Sequence, residues 1–161
     1  DVGGVAVGLT SDETVRRAYD NVMSSVKRNL PRVAVDGVLV APMVAGGIEV
    51  IVGARIDPLF GPMVMVGLGG TMVEVLKDVS FCLAPLSLSE ARSAVNRLRG
   101  ARILDGVRGN PAADKEALAE MLVRLGDFAA KHAGSIESVE INPLIVKPEG
   151  EGVIGLDALI S

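Results

Sequence analysis

Three side chains near the end of the chain, Glu140, Asn142 and Asp157, present oxygen ligands among aliphatic neighbours. Glu140-Ile141-Asn142-Pro143-Leu144 and Gly155-Leu156-Asp157 belong to two apolar runs joined by Lys147 to Gly152, a Gly- and Pro-bearing connector that signals a hairpin. An isolated carboxylate is costly to bury, so a carboxylate in such a run calls for a partner. Magnesium suits this set: it takes oxygen ligands, keeps several waters and sits on one or two protein groups plus substrate phosphates. Spacing alone leaves two readings open. One is a ledge for a metal and a nucleotide; the other is a hairpin with a turn-capping Asn and a solvated Asp.

Other residues add weaker signals. Glu49 lies mid-strand, and alternation puts it with Ile51 on the face opposite Ile48, Val50 and Val52, where it is placed to meet a ribose hydroxyl or a metal. Gly67-Leu68-Gly69-Gly70 reads as a tight turn or as a loop whose backbone N–H groups approach an anion, with Gly69 and Gly70 as the contacts. It matches neither of the common phosphate-loop fingerprints. Arg108, between Gly106 and Gly109, is either a phosphate- or carboxylate-binding cation or a solvated loop charge. His132, the single histidine, falls at a helix C-terminus, where the dipole favours a cation. Ser24-Ser25 and Ser87 to Ser89 lack the setting of a hydrolase nucleophile.

The elements that must position these groups are mixed. Strands are expected over 4–9, 37–44, 48–55, 62–68 and 79–83, ahead of the terminal hairpin. Helices are expected from a Thr10/Glu13 capping box to Pro31, from a Ser87/Glu90 capping box, and over 114–130 with Leu118, Met121, Leu122, Leu125 and Phe128 inward. Three helices on a largely antiparallel sheet define an α+β sandwich. The hydrophobic fraction is 49% with no Trp, one Tyr and three Phe, so the core must be aliphatic. A net charge of -4 and the absence of a basic run argue against a nucleic-acid surface, and one cysteine excludes an intrachain disulfide. The apolar region 38–54 is interrupted by Pro42, Gly46-Gly47 and Glu49 and is too short to span a membrane; a cytoplasmic location is expected.

Longer segments carry a resemblance. Asp1-Val2-Gly3-Gly4-Val5, the run from Asp57 to Gly70, Val73-Glu74-Val75-Leu76-Lys77-Asp78-Val79-Ser80-Phe81, Gly106-Val107-Arg108-Gly109 and Glu140-Ile141-Asn142-Pro143-Leu144 resemble segments of the nucleoside-diphosphate-forming acyl-CoA synthetases, which include the ADP-forming acetate–CoA ligases. The similarity runs nearly end to end.

The resemblance implies the later part of an ATP-grasp fold related to the succinyl-CoA synthetase β subunit. On that reading residues 1–161 form one ATP-grasp subdomain of a larger protein, whose upstream lobe, CoA-binding domains and phosphohistidine lie elsewhere in the same protein or on a partner subunit. The implied reaction is acid + CoA + ATP ⇌ acyl-CoA + ADP + phosphate. Asn142 and Asp157, with Glu140 beside them, fall where relatives hold the magnesium of ATP or ADP, and Glu49 falls on a nucleotide-contacting acid. The run 38–44 resembles the strand whose backbone meets adenine. Two positions depart from the pattern: Cys82 stands where relatives often show Arg, and Ala41-Pro42 where some carry a polar or acidic residue. These departures leave room for an alternative, a non-catalytic or regulatory ATP-grasp-like module of an acyltransferase fusion.

Overall fold

The computed structural model describes residues 2–70, 77–107 and 109–161. They divide into two compact units, 1–45 and 46–161.

In the first unit, helix α1 (Asp12–Asn29) begins one residue later than the capping pattern predicts. Ser11, extended at φ -150° and ψ 159°, is the N-cap, and its hydroxyl accepts from the Thr14 amide while Thr14 Oγ1 accepts from the Ser11 amide. Serine caps at least as well as threonine, and the reciprocal pair closes on Thr14 instead of Glu13. Near the other end, Ser25 Oγ and Asn29 Nδ2 donate to the carbonyl of Val2, holding the start of the chain against the last turns. The segments 4–9 and 37–44 are not strands: they form no ladder. Apolar alternation specifies extended backbone, but a strand also needs a neighbour to take its N–H and C=O groups. Both segments instead line an apolar cleft of ≈ 940 Å³ in this unit, with Val5, Val7, Leu9, Tyr19, Leu39 and Met43 among its walls.

The second unit is an antiparallel sheet with helices on one face. Its strands are β1 (Ile48–Asp57), β2 (Gly61–Leu68), β3 (Val79–Leu83), β4 (Ser138–Val146), β5 (Val153–Gly155) and β6 (Ala158–Ile160). The order is β3-β2-β1-β4-β5, and β6 also pairs with β4. Helices α2 (Leu88–Asn96) and α3 (Lys115–His132) pack on it, and a short 3-10 turn (Ala101–Asp105) lies between them in the chain. The Ser87/Glu90 capping box forms as the sequence predicts. Helix α3 lies against β1, β2 and β4, and α2 against α3, β3 and β2.

Alternation sorts the side chains. Val50, Val52 and Ala54 of β1, Val64 and Val66 of β2, and Leu144 and Val146 of β4 are buried with Leu118, Leu122, Ala91 and Val95 from the helices. Fully burying one such aliphatic side chain stabilises by about 1.5–3 kcal/mol. On the outer face Phe81 pairs with Met65 and Leu83 with Met63, and Phe81, Leu83, Ile154 and Leu159 stay substantially exposed. Gly126 lets α3 approach the sheet: a methyl group there would lie 2.4 Å from Leu86 Cδ2.

One carboxylate joins α3 to the hairpin connector. Asp114, only 8% exposed, caps α3 by accepting from the Ala117 amide at 2.9 Å. Its second oxygen accepts from the amides of Gly150 and Gly152, each at 3.0 Å. The Ala117 hydrogen bond, reinforced by those of Gly152 and Gly150, holds its pKa below the ordinary value against the opposing effect of burial. A depressed folded-state pKa gives stability that is present above the unfolded value of about 3.9 and is lost as pH falls through the folded one. In the full-length protein, protection of the Gly150 and Gly152 amides, corrected for intrinsic exchange, is therefore expected to hold from neutrality to about pH 5, to decline as pH drops below about pH 4 and to be lost once pH passes below the depressed folded-state value. Asp114→Ala should lack it throughout. Hydrogen exchange across the two pH ranges is the check.

Candidate functional site

Glu140 and Asn142 on β4 and Asp157 beside them lie at an irregularity that involves β1, β4 and the β5–β6 junction. Register pairs Val50 with Leu144 and Val52 with Ile141, so Asn142 and Pro143 together face Ile51. This is a β-bulge, and Pro143 accounts for it: proline has no N–H to give to a ladder and enters interior strands only at such irregularities. The same break passes to the other side of β4. There β5 pairs with 144–146 and β6 with 139–141, leaving Leu156 and Asp157 between them. Asp157 therefore lies at the β5–β6 junction and not on a second hairpin strand as the sequence pattern predicts. Two backbone bonds span the gap, Asn142 N to Asp157 O at 3.1 Å and Leu156 N to Pro143 O at 3.0 Å.

Asn142 and Asp157 are thus neighbours across adjacent chain segments. Asn142 Nδ2 donates to Glu140 Oε1 at 3.2 Å, which leaves the amide oxygen as the acceptor this side chain presents. Asp157 Oδ1 accepts from the Ala158 amide at 2.9 Å. All three residues are exposed. Two carboxylates and an amide oxygen at one bulge are the hard, oxygen-only donor set that magnesium takes alongside water and phosphate. Among the described residues no group of three or more His, Cys, Asp and Glu is placed to hold a metal ion by itself. The set fits a cation shared with a ligand, not one enclosed by protein.

Glu49 stands on the same outer face, paired with Ile145 and two positions from Ile51, roughly 7 Å along β1 at the strand rise. The glycine pair lies against it. The Gly69 amide donates to the Glu49 carbonyl at 2.6 Å, and a Cβ on Gly69 would lie 2.6 Å from that carbonyl. Gly70 has φ +85°, and a Cβ there would lie 4.0 Å from Glu49 Oε2. Gly69 thus permits a close backbone approach, and Gly70 the left-handed turn. Arg108 lies outside the described residues.

His132 packs its ring on Phe128, centroids 4.6 Å apart, at the end of α3. At Cys82, the guanidinium of Arg97 on the turn after α2 reaches the sulfur at 3.4 Å and also meets Ser80 Oγ and the Phe81 carbonyl, each at 3.3 Å. A cation therefore stands beside Cys82, where the resemblance led arginine to be expected. Sequence reasoning missed Pro143 as the source of the bulge and Asp114 as the anchor of the connector. A proline inside an interior aliphatic run was the available signal for the first. For the second there was only an Asp before a helix, because its glycine partners lie 36 and 38 residues away.

The whole chain, residues 1–161, matches the family model of the ATP-grasp domain. It is 35% identical over 160 residues to the β subunit of acetate–CoA ligase [ADP-forming] II of Pyrococcus furiosus, covering 99% of this chain and 68% of that protein. The chain is an ATP-grasp domain of the ADP-forming acyl-CoA synthetase family. This ATP-grasp domain is also 42% identical to acetate–CoA ligase [ADP-forming] I of Archaeoglobus fulgidus, over 96% of this chain and 22% of that protein. Against 4-hydroxybutyrate–CoA ligase [ADP-forming] of Nitrosopumilus maritimus it is 38% identical, covering 99% of this chain and 23% of that protein. It thus spans under a quarter of the length of these two relatives. Acetyl-coenzyme A synthetase 1 of Ca. Korarchaeum cryptofilum, solved with coenzyme A, Ca-AMPCP and HgCl+, superposes with a TM-score of 0.90 at 42% identity, over 99% of this chain and 68% of that one. The ATP-grasp assignment and the α+β architecture read from the sequence both hold. Among the described residues no helix is long and apolar enough to cross a membrane.

The Glu49–Gly69 approach has a measurable consequence. Gly69→Ala places a methyl group against backbone that cannot swing aside, an overpacking expected to cost about 1–3 kcal/mol. In the full-length protein this should lower the thermal midpoint. An unchanged midpoint would show that β1 and the glycine pair separate freely.

Proposed function

We propose that this ATP-grasp domain binds ATP or ADP with magnesium and serves phosphate transfer between the nucleotide and a histidine on another domain or subunit. The parent reaction would be acid + CoA + ATP ⇌ acyl-CoA + ADP + phosphate. The observation that carries the proposal is the placing of Asn142, hydrogen-bonded to Glu140, at the β4 bulge next to the segment bearing Asp157, on the sheet that also presents Glu49 and the Gly69-Gly70 turn. The Ca. Korarchaeum cryptofilum synthetase has also been solved with coenzyme A and Mg-AMPPCP, its phosphohistidine segment pointing towards the nucleotide binding site; this ATP-grasp domain matches it at a TM-score of 0.85 and 38% identity. The acid substrate and the partners that carry CoA and the histidine belong to the same proposal.

The roles follow from the chemistry of each side chain. Asn142 and Asp157 would hold the metal, with Glu140 orienting the Asn142 amide through their hydrogen bond. Magnesium, when bound, neutralises phosphate charge and so favours transfer. One neutral and one charged ligand leave the ion net positive toward the phosphates. Glu49 would accept a hydroxyl of the ribose, and the Gly69-Gly70 backbone would border the nucleotide without side-chain bulk. Arg108 is proposed as the cation that meets the transferring phosphate. The cytoplasm is the proposed compartment.

In the full-length enzyme, Asn142→Ala and Asp157→Asn are each expected to raise the magnesium concentration for half-maximal histidine phosphorylation by about tenfold or more, about 1.4 kcal/mol or more of lost stabilisation. The Asp157 change is nearly isosteric, so the fold should survive. Phosphohistidine formation titrated with magnesium tests this, and wild-type requirement and rate in both variants would refute it.

A further inference from the structure

Strand β5 has three residues and three register pairs with β4, and β6 likewise has three. Ladders this short specify register weakly, and a slip of one residue turns each side chain to the other face. The Asn142 N–Asp157 O, Leu156 N–Pro143 O and Lys147 N–Gly152 O bonds add to these pairs, and the anchorage of the connector adds further to what keeps Asp157 level with Asn142. The connector 147–152 is bound to the start of α3 along its length. The Asp114 amide donates to the Lys147 carbonyl at 2.8 Å, Glu149 N donates to the Ala112 carbonyl at 2.9 Å, and Ala113 bridges to Pro148. The Asp114 carboxylate then takes the amides of Gly150 and Gly152, the two connector residues at positive φ. Asn142 and Asp157 lie five residues before Lys147 and five after Gly152. A connector held rigid at one end of the hairpin thus sets the alignment at the other.

We infer that Asp114 is a positioning residue for the metal and nucleotide ledge: by clamping Gly150 and Gly152 to the α3 N-terminus it fixes the β4–β5 register that places Asp157 beside Asn142. The inference rests on the reading of Asn142 and Asp157 given under Proposed function. Asp114 itself touches no proposed ligand.

The carboxylate has two separable duties, which makes a specific test available. One oxygen caps α3 and the other holds the connector. Asparagine is an equally good N-cap but has one acceptor oxygen, and its NH2 group would face two N–H donors. Serine likewise keeps a cap and lacks the second acceptor. In the full-length enzyme, Asp114→Asn and Asp114→Ser are expected to raise the magnesium concentration for half-maximal phosphohistidine formation by about 10- to 100-fold, the usual range when an outer group that orients metal ligands is lost. Saturating magnesium and nucleotide should restore most of kcat, and KM for CoA should stay unchanged. If the Asn variant does not fold, the Ser variant carries the same comparison; failure of both to fold, against a folded Asn142→Ala, would assign Asp114 to stability alone and overturn the inference. Running Asn142→Ala in parallel separates the two readings. Wild-type magnesium requirement in the folded Asp114 variants, with Asn142→Ala impaired, overturns the positioning role and spares the ledge. A uniform loss of kcat at unchanged magnesium requirement also overturns it. Wild-type behaviour in Asn142→Ala overturns the ledge and the positioning role with it.

Discussion

A proline inside an interior strand governs this structure. β4 lies between β1 and the β5–β6 pair, where each backbone N–H is expected to meet a carbonyl. Pro143 has none to offer, so the ladder opens toward β1 as a bulge and toward the far side as the gap between β5 and β6. The backbone bonds that close the gap come from Asn142 and Leu156, the residues beside the break. Side chains that in a regular strand would be levelled by the pleat are here gathered at one irregularity. The oxygen donors sit there because regular pairing cannot.

The sheet divides its labour by face. Helices α2 and α3 cover the aliphatic side, where Val50, Val52, Val66, Leu144 and Val146 are fully buried. Glu140, Asn142 and Glu49 occupy the other side. Stability and the proposed ligand chemistry therefore draw on alternate residues of the same strands, and the two sets need not compromise each other. Asp114 links the faces: it caps a helix of the packed side and secures the connector of the strands that bear the donors.

Much of this was legible in the sequence, and the exceptions have physical causes. β1 declares itself by alternation because one face is buried, and the Ser87/Glu90 box declares α2 because capping is local. The helix over 115–132 follows from its aliphatic period. The shift of the α1 cap from Thr10 to Ser11 reflects two adjacent hydroxyl residues of near-equal capping strength. The segments 4–9 and 37–44 misled because alternation reports extended backbone and says nothing of a pairing partner. At the site, Glu140, Asn142 and Asp157 were recognisable by type, but the bulge, the short β6 and the Asp114 clamp depend on contacts between residues remote in sequence.

The outer face also has a colloidal side. At the β1–β2 turn the Asp57 carboxylate takes the amides of Leu59 and Phe60 and so turns both apolar side chains outward, 86% and 66% exposed. With Phe81, Leu83 and Leu159 also uncovered, the surface offers several patches of the kind that neighbouring molecules in a concentrated solution share with one another. A net charge of -4 is a modest counterweight for 161 residues. The sheet surface is thus one of the domain's exposed apolar surfaces, and charged substitutions at Leu59 and Phe60 would reduce it without touching the donor residues.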